Sequence, residues 1–161
     1  MKKLCLVLAI LIALLLSPFY FSQAAENSQF KLVIAHWEGP DGTQATGARK
    51  WASELEKRSN GRIVTEHVFG GALGKAPEHY DLAARGICDI AEVGLPFTPG
   101  KFPMAEVWDM PFARQGLTEY TSLIFLELFN KGYFDRDFKD TVVVGLNVIG
   151  EYHFQMRNVP I

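Results

Sequence analysis

Residues 66 to 75, EHVFGGALGK, set three glycines ahead of a lysine, the ingredients of a phosphate cradle. A Walker-type loop needs Gly, four residues and then Gly-Lys-Ser/Thr, so that backbone N–H groups face the phosphate and a hydroxyl reaches Mg²⁺. Gly70 and Gly74 stand one residue too close, and Ala76 follows Lys75 where the hydroxyl is required. The stretch reads as an architectural turn between a strand and a helix, with glycine at positive φ and Leu73 plugging the core. Four histidines, His36, His67, His79 and His153, lack the HExxH or HxH spacing that places two imidazoles on one metal. No metal or other cofactor is expected, and His67 and His79 read as solvent-exposed. Ser53, Ser59 and Ser122 fall in helical patterns without a GxSxG elbow, so no catalytic residue and no enzyme is expected. Arg114 and Arg157 are candidates for gripping a carboxylate with a two-pronged hydrogen bond.

The elements that would position these groups alternate. FKLVIA, 30 to 35, has the apolar density of a buried strand, and HWEGPDG follows as a loop. TQATGARKWASELEKRSNG predicts a helix with Ala45, Ala48, Trp51, Ala52 and Leu55 on one face and Asn60-Gly61 as its stop. RIVTEHVF, 62 to 69, predicts a second strand, Pro77 to Arg85 a second helix ended by Gly86, and ICDIAEVG, 87 to 94, a third strand. Strand, helix, strand, helix, strand predicts a parallel sheet covered by helices. Beyond it come a Pro/Gly-rich loop, the short piece PMAEVWDMPF, an apolar-faced helix GLTEYTSLIFLELFNKGYF and two further strand candidates, TVVVGLNV and YHFQM. Ligands of open parallel sheets bind beyond the carboxyl ends of the strands. That rule selects His36, Trp37 and Glu38 after the first strand, Gly94, Pro96 and Phe97 after the third, and Tyr152 and His153 near the end. Trp37 would be a stacking wall; Glu38 suits an anionic ligand least of the three.

The first residues have another destination. Lys2 and Lys3 precede an apolar run from Leu4 to Leu16, and Ser22-Gln23-Ala24 fits the small-x-small rule, so residues 1–24 are expected to be a signal peptide cleaved after Ala24. Cys88 is then the one cysteine left, excluding an internal disulfide, and its apolar surroundings read it as a small buried hydrophobe. The chain has 16 basic and 18 acidic side chains; loss of Lys2 and Lys3 takes the net charge from -2 to -4, and no basic patch points to nucleic acid. With 48% apolar and 21% charged residues the composition is that of a folded domain. The apolar-rich ending FQMRNVPI is expected to continue into a remainder.

The ordered run ELEKRSNGRI, FGGALG, LAARGICDIAEVG and TPGKFPMAEVWDMPF resembles the solute-binding receptors of tripartite ATP-independent periplasmic (TRAP) transporters, of the dicarboxylate-binding type. The resemblance runs from Phe30 to the end. It implies an α/β, periplasmic-binding-protein-like (type II-like) two-domain receptor, seen here as most of a first domain, 25–148, and the start of a second, 149–161. It further implies a periplasmic protein that closes on a small organic acid and delivers it to a membrane permease driven by an ion gradient. Receptors of the family hold the substrate carboxylate with an arginine in a segment like DLxGxKxR, expected beyond Pro160 and hence beyond Ile161. Where several members carry another arginine, this chain reads Gly150-Glu151-Tyr152-His153. That departure points away from a sialic-acid-like grip, toward an acid whose apolar or aromatic part faces Trp37, Phe97 or Tyr152. A receptor for an ATP-driven importer and, from another class, a secreted enzyme are the alternatives.

Overall fold

The structure, a computed structural model, describes residues 29–110, 113 and 117–149. They fall into two compact units, Met1–Glu92 and Val93–Ile161.

The first unit is built on a parallel sheet of order β2-β1-β3, with β1 Phe30–Ala35, β2 Ile63–Val68 and β3 Ile90–Ala91. β1 runs alongside β2 from Phe30↔Ile63 to Ala35↔Val68, but meets β3 only at Ile34↔Ile90 and Ala35↔Ala91. The third strand is therefore much shorter than its apolar sequence predicts. Asp89 takes over at its start: its carboxylate accepts from Val33 N at 2.8 Å and its own N–H donates to Val33 O. At the other end Glu92 N donates to Ala35 O. Helix α1, Thr43–Arg58, lies between β1 and β2, and α2, His79–Ala84, between β2 and β3, entered through a 3-10 turn at Ala76–Glu78.

Both helices stop where expected. Asn60 and Gly86 adopt φ of 52° and 69°, and the chain then bonds back into the last turn, Gly61 N to Glu56 O and Ile87 N to Leu82 O. Ala45 and Ala52 of α1 are buried, whereas Trp51 remains 40% exposed. Ala35, Leu82 and Cys88 form the core between sheet and α2, with Val33, Ala83 and Ala91 against it. Burial, then the neighbouring Asp89 charge, raises the Cys88 thiol pKa, as befits a packed hydrophobe. Leu73, by contrast, is exposed, and the leucine of this core is Leu82.

The second unit contains 3-10 turns at Leu95–Phe97 and Glu106–Asp109 and helix α3, Thr118–Asn130. Aromatic packing organises it. Phe102 is fully buried and stacks on Phe138 at 5.3 Å, while Phe125 lies between Trp108 at 5.4 Å and Phe134 at 4.9 Å. Carboxylates brace the FPMAEVWD stretch. Glu106 accepts from Gly100 N and Phe102 N, and buried Asp137 accepts from Met104 N at 3.0 Å and Ala105 N at 2.8 Å. TVVVGLNV is not a strand. A strand needs a ladder, and the segment's backbone has none among the described residues; Val148 N donates instead to Ser122 Oγ of α3. YHFQM lies outside the described residues.

Candidate functional site

The parallel ladder carries β1, β2 and β3 to one end of the sheet, and each contributes a polar group there. His36 follows β1 directly, His67 is the penultimate residue of β2, and Glu92 follows β3. Their side chains meet. His36, 1% exposed, places Nδ1 3.2 Å from Glu92 Oε2 and Nε2 2.9 Å from His67 Nδ1. Phe69 stacks on His36 at 4.9 Å and on His67 at 5.8 Å, and the Arg49 guanidinium sits 5.9 Å from the Phe69 ring centre. His79 is fully buried beneath them, with Nδ1 2.9 Å from Glu92 O and Nε2 3.1 Å from Gly74 O.

These surroundings set the charges. Burial above all, then His67, His79 and Arg49, lowers the His36 pKa to about 4. His67 is lowered too, by burial and then Arg49. Glu92 moves the other way: burial, then the Glu38 charge, raises it to about 7. The contact between His36 and Glu92 is thus a hydrogen bond between two groups that burial keeps close to neutral, and a weak ion pair at most. Oε1 of Glu92 is buried without a hydrogen-bond partner among the described residues. No group of three or more His, Cys, Asp or Glu side chains among the described residues is arranged to hold a metal.

The glycine turn belongs to the same end of the sheet. Gly70 and Gly71, at φ 66° and 69°, turn their N–H groups onto the Glu38 and His36 carbonyls at 2.7 and 3.0 Å. The amides that a phosphate would need are therefore engaged in holding the β1 loop in place.

Of the residues selected from sequence, His36, Trp37 and Glu38 lie together in the first unit, His36 buried and the other two half-buried. Glu38 Oε2 accepts from Gln44 N and Ala45 N at 3.0 and 3.4 Å, capping α1, whose preceding Gly42 has no side chain for the task. Gly94, Pro96 and Phe97 lie together in the second unit, where Phe97 folds over Gly94 so closely that a Cβ there would meet its ring at 2.6 Å. Arg114, Tyr152, His153 and Arg157 lie outside the described residues. The reading of His67 and His79 as solvent-exposed is corrected: neither is, because the strand end and the second helix turn them onto His36 and Glu92. Glu92, too, was passed over. Its signal was a carboxylate interrupting an apolar strand one residue past the ladder.

The model of the family "Bacterial extracellular solute-binding protein, family 7" (DctP) matches residues 34–159. The chain belongs to this family. Solved structures agree with the assignment. A TRAP solute-binding protein from Rhodoferax ferrireducens T118, in complex with copurified benzoate, is 31% identical with a TM-score of 0.67 over 74% of this chain and 37% of its own. A marine metagenome TRAP protein specific for aromatic acid ligands, in complex with 3-hydroxybenzoate, is 26% identical with a TM-score of 0.69 over 74% and 37%. A third, from Desulfovibrio salexigens DSM2638, is 27% identical with a TM-score of 0.63 over 70% and 34%. The expected α/β, periplasmic-binding-protein-like fold is borne out, and this solute-binding protein chain spans little more than a third of the solved structures it matches. No curated protein matches it.

Proposed function

We propose that the chain is part of a periplasmic receptor that captures a small organic acid and hands it to the membrane permease of a TRAP transporter. The observation that carries this reading is the family match over 34–159. The geometry adds to it. A parallel sheet gathers a buried histidine, a tryptophan and a near-neutral carboxyl at the end where such sheets bind ligands. In this reading residues 1–24 are a cleaved signal peptide, 25–148 the first domain and 149–161 the start of the second. His36, Trp37, Glu38, Gly94, Pro96, Phe97, Tyr152, His153 and Arg157 form the ligand-binding set, with Glu38 also fixing the loop. Closure of the two domains around the acid is the state that the permease recognises.

The acid we favour has an aromatic or apolar body. Trp37 supplies a flat surface, and relatives at 26–31% identity were crystallised with benzoate and 3-hydroxybenzoate. Calorimetric titration of the full-length receptor with benzoate and 3-hydroxybenzoate tests the reading. We expect binding, weakened about tenfold or more by Trp37→Ala, the worth of one aromatic stacking contact. Unchanged affinity in the variant would remove Trp37 from the site; no binding by the wild type would remove the aromatic-acid class.

A further inference from the structure

The three groups at the strand ends are joined head to tail. Each imidazole has one nitrogen to donate with and one to accept with while it is neutral, and a carboxyl donates only when protonated. With Glu92 ionised, His36 Nδ1–H donates to Glu92 Oε2, leaving His36 Nε2 to accept from His67 Nδ1–H. His67 Nε2 is then an acceptor. Adding one proton at Glu92 Oε2, the oxygen facing the ring, makes the carboxyl the donor to His36 Nδ1. His36 must then carry its proton on Nε2 and donate to His67 Nδ1, and His67 must carry its own on Nε2. Both distances, 3.2 and 2.9 Å, suit either direction.

We propose that Glu92, His36 and His67 form a one-proton relay in which protonation of Glu92 reverses both hydrogen bonds and turns His67 Nε2 from an acceptor into a donor. The trio gains one proton and its charge goes from -1 to zero, while both rings stay neutral throughout. The groups facing the relay favour this. Arg49 and His79 oppose a positive charge on His36, Glu38 opposes a negative charge on Glu92, and Glu56 alone favours a cation at His67. Burial disfavours charge on every member. Phe69, stacked on both rings, holds them in the plane-parallel arrangement that keeps the nitrogens aligned.

The relay stands on its own geometry, but it deepens the function proposed above, and that extension rests on the acid-binding reading. An ionised Glu92 at the strand ends repels an incoming carboxylate. The protonated relay removes that charge and adds a donor, so capture of an acid there draws in a proton.

Two-bond ¹H–¹⁵N spectra of the imidazole rings of the full-length protein, without ligand, from pH 8.5 to 5, test it. We expect His36 to pass from the Nδ1–H to the Nε2–H tautomer and His67 to do the same, with one shared midpoint of about 7 and without either ring becoming an imidazolium. Glu92→Gln is expected to abolish the shared transition. Rings that keep one tautomer throughout, that change with separate midpoints, or that change unaltered in the glutamine variant would overturn the proposal. The wild-type titration decides by itself if that variant does not fold. Since no ligand is present, failure here leaves the receptor reading untouched, and failure of the benzoate titration leaves the relay untouched.

Discussion

Glu106 and Asp137 of the second unit and Glu92 of the first are carboxyl groups in opposite surroundings. In the second unit Glu106 receives the N–H groups of Gly100 and Phe102, which hold its pKa below the usual carboxylate range. Asp137, buried nearby, receives Met104 and Ala105 N–H. In the first unit Glu92 receives no backbone donor among the described residues; it faces a histidine ring, leaves one oxygen without a partner among them, and rises to about 7. Burial raises Glu92, and backbone donors lower the more open Glu106. Burial and the donors turned toward a carboxyl set its charge together. The second unit's carboxylates are struts that fix a loop. Glu92 of the first unit can change state near neutral pH, and it sits at the carboxyl end of the sheet.

The strut side of this comparison gives the largest effect. Asp137→Ala leaves two backbone N–H groups without an acceptor, one of them fully buried, and is expected to lower stability by about 3 kcal/mol, since a buried donor left unsatisfied costs roughly 1–3 kcal/mol. Denaturant unfolding measures the loss, and amide exchange should show it first at Met104 and Ala105. A loss below about 1 kcal/mol would mean that water replaces the carboxylate and that the strut is incidental.

The switching side is smaller in the wild type and visible by difference. Glu92 rises from 4.5 to about 7 on folding, so its burial costs stability above pH 7, and the cost fades as pH falls toward 4.5. His36 falls from 6.5 to about 4, so its cost is absent above 6.5 and grows as pH falls toward 4. The opposed shifts nearly cancel: the pair gives a shallow plateau of stability between about pH 4.5 and 6.5, less than about 1 kcal/mol high. Glu92→Gln removes one side. Relative to wild type, the variant should lose about 2 kcal/mol between pH 7 and pH 5. Parallel stability curves for the two proteins over that range would show that Glu92 ionises as an ordinary carboxylate.

How much of this could be read from the chain differs between the units for a physical reason. The parallel sheet was legible because β1, β2 and the two helices obey local rules: an apolar run, a periodic face, a left-handed stop at Asn60 and Gly86. His36 was legible as a residue following a strand. His67, His79 and Glu92 were not, because their meaning depends on which residues stand side by side in the β2-β1-β3 order, and pairing separated by 13 to 56 positions leaves no local trace. Ala35 and Ala91 illustrate the same limit in the backbone: the third strand looked eight residues long from its apolarity and is two, because β1 meets it only at Ile34 and Ala35. In the second unit FPMAEVWD was visible as a motif, yet its reason, Glu106 and the distant Asp137 holding its amides, was not.

Glu38 stands between the two behaviours and gives the smallest effect. It lies at the ligand end of β1 yet acts as a strut, its carboxylate receiving the first amides of α1. Gly42 can be nothing larger, because a Cβ there would collide with the Glu38 carboxylate. Glu38→Ala removes the cap and should cost about 1 kcal/mol, the usual worth of a helix N-cap. It also removes the charge that helps raise Glu92, so the shared midpoint of the relay should move down in the variant. Glu38→Gln separates the two roles: it keeps an oxygen for the amides of α1 and loses the charge. If the glutamine variant regains the stability but not the midpoint, the same side chain is both the brace of the loop and the electrostatic setting of the proton site beside it. If both properties return together, the midpoint follows the loop's position, and Glu38 is a strut alone.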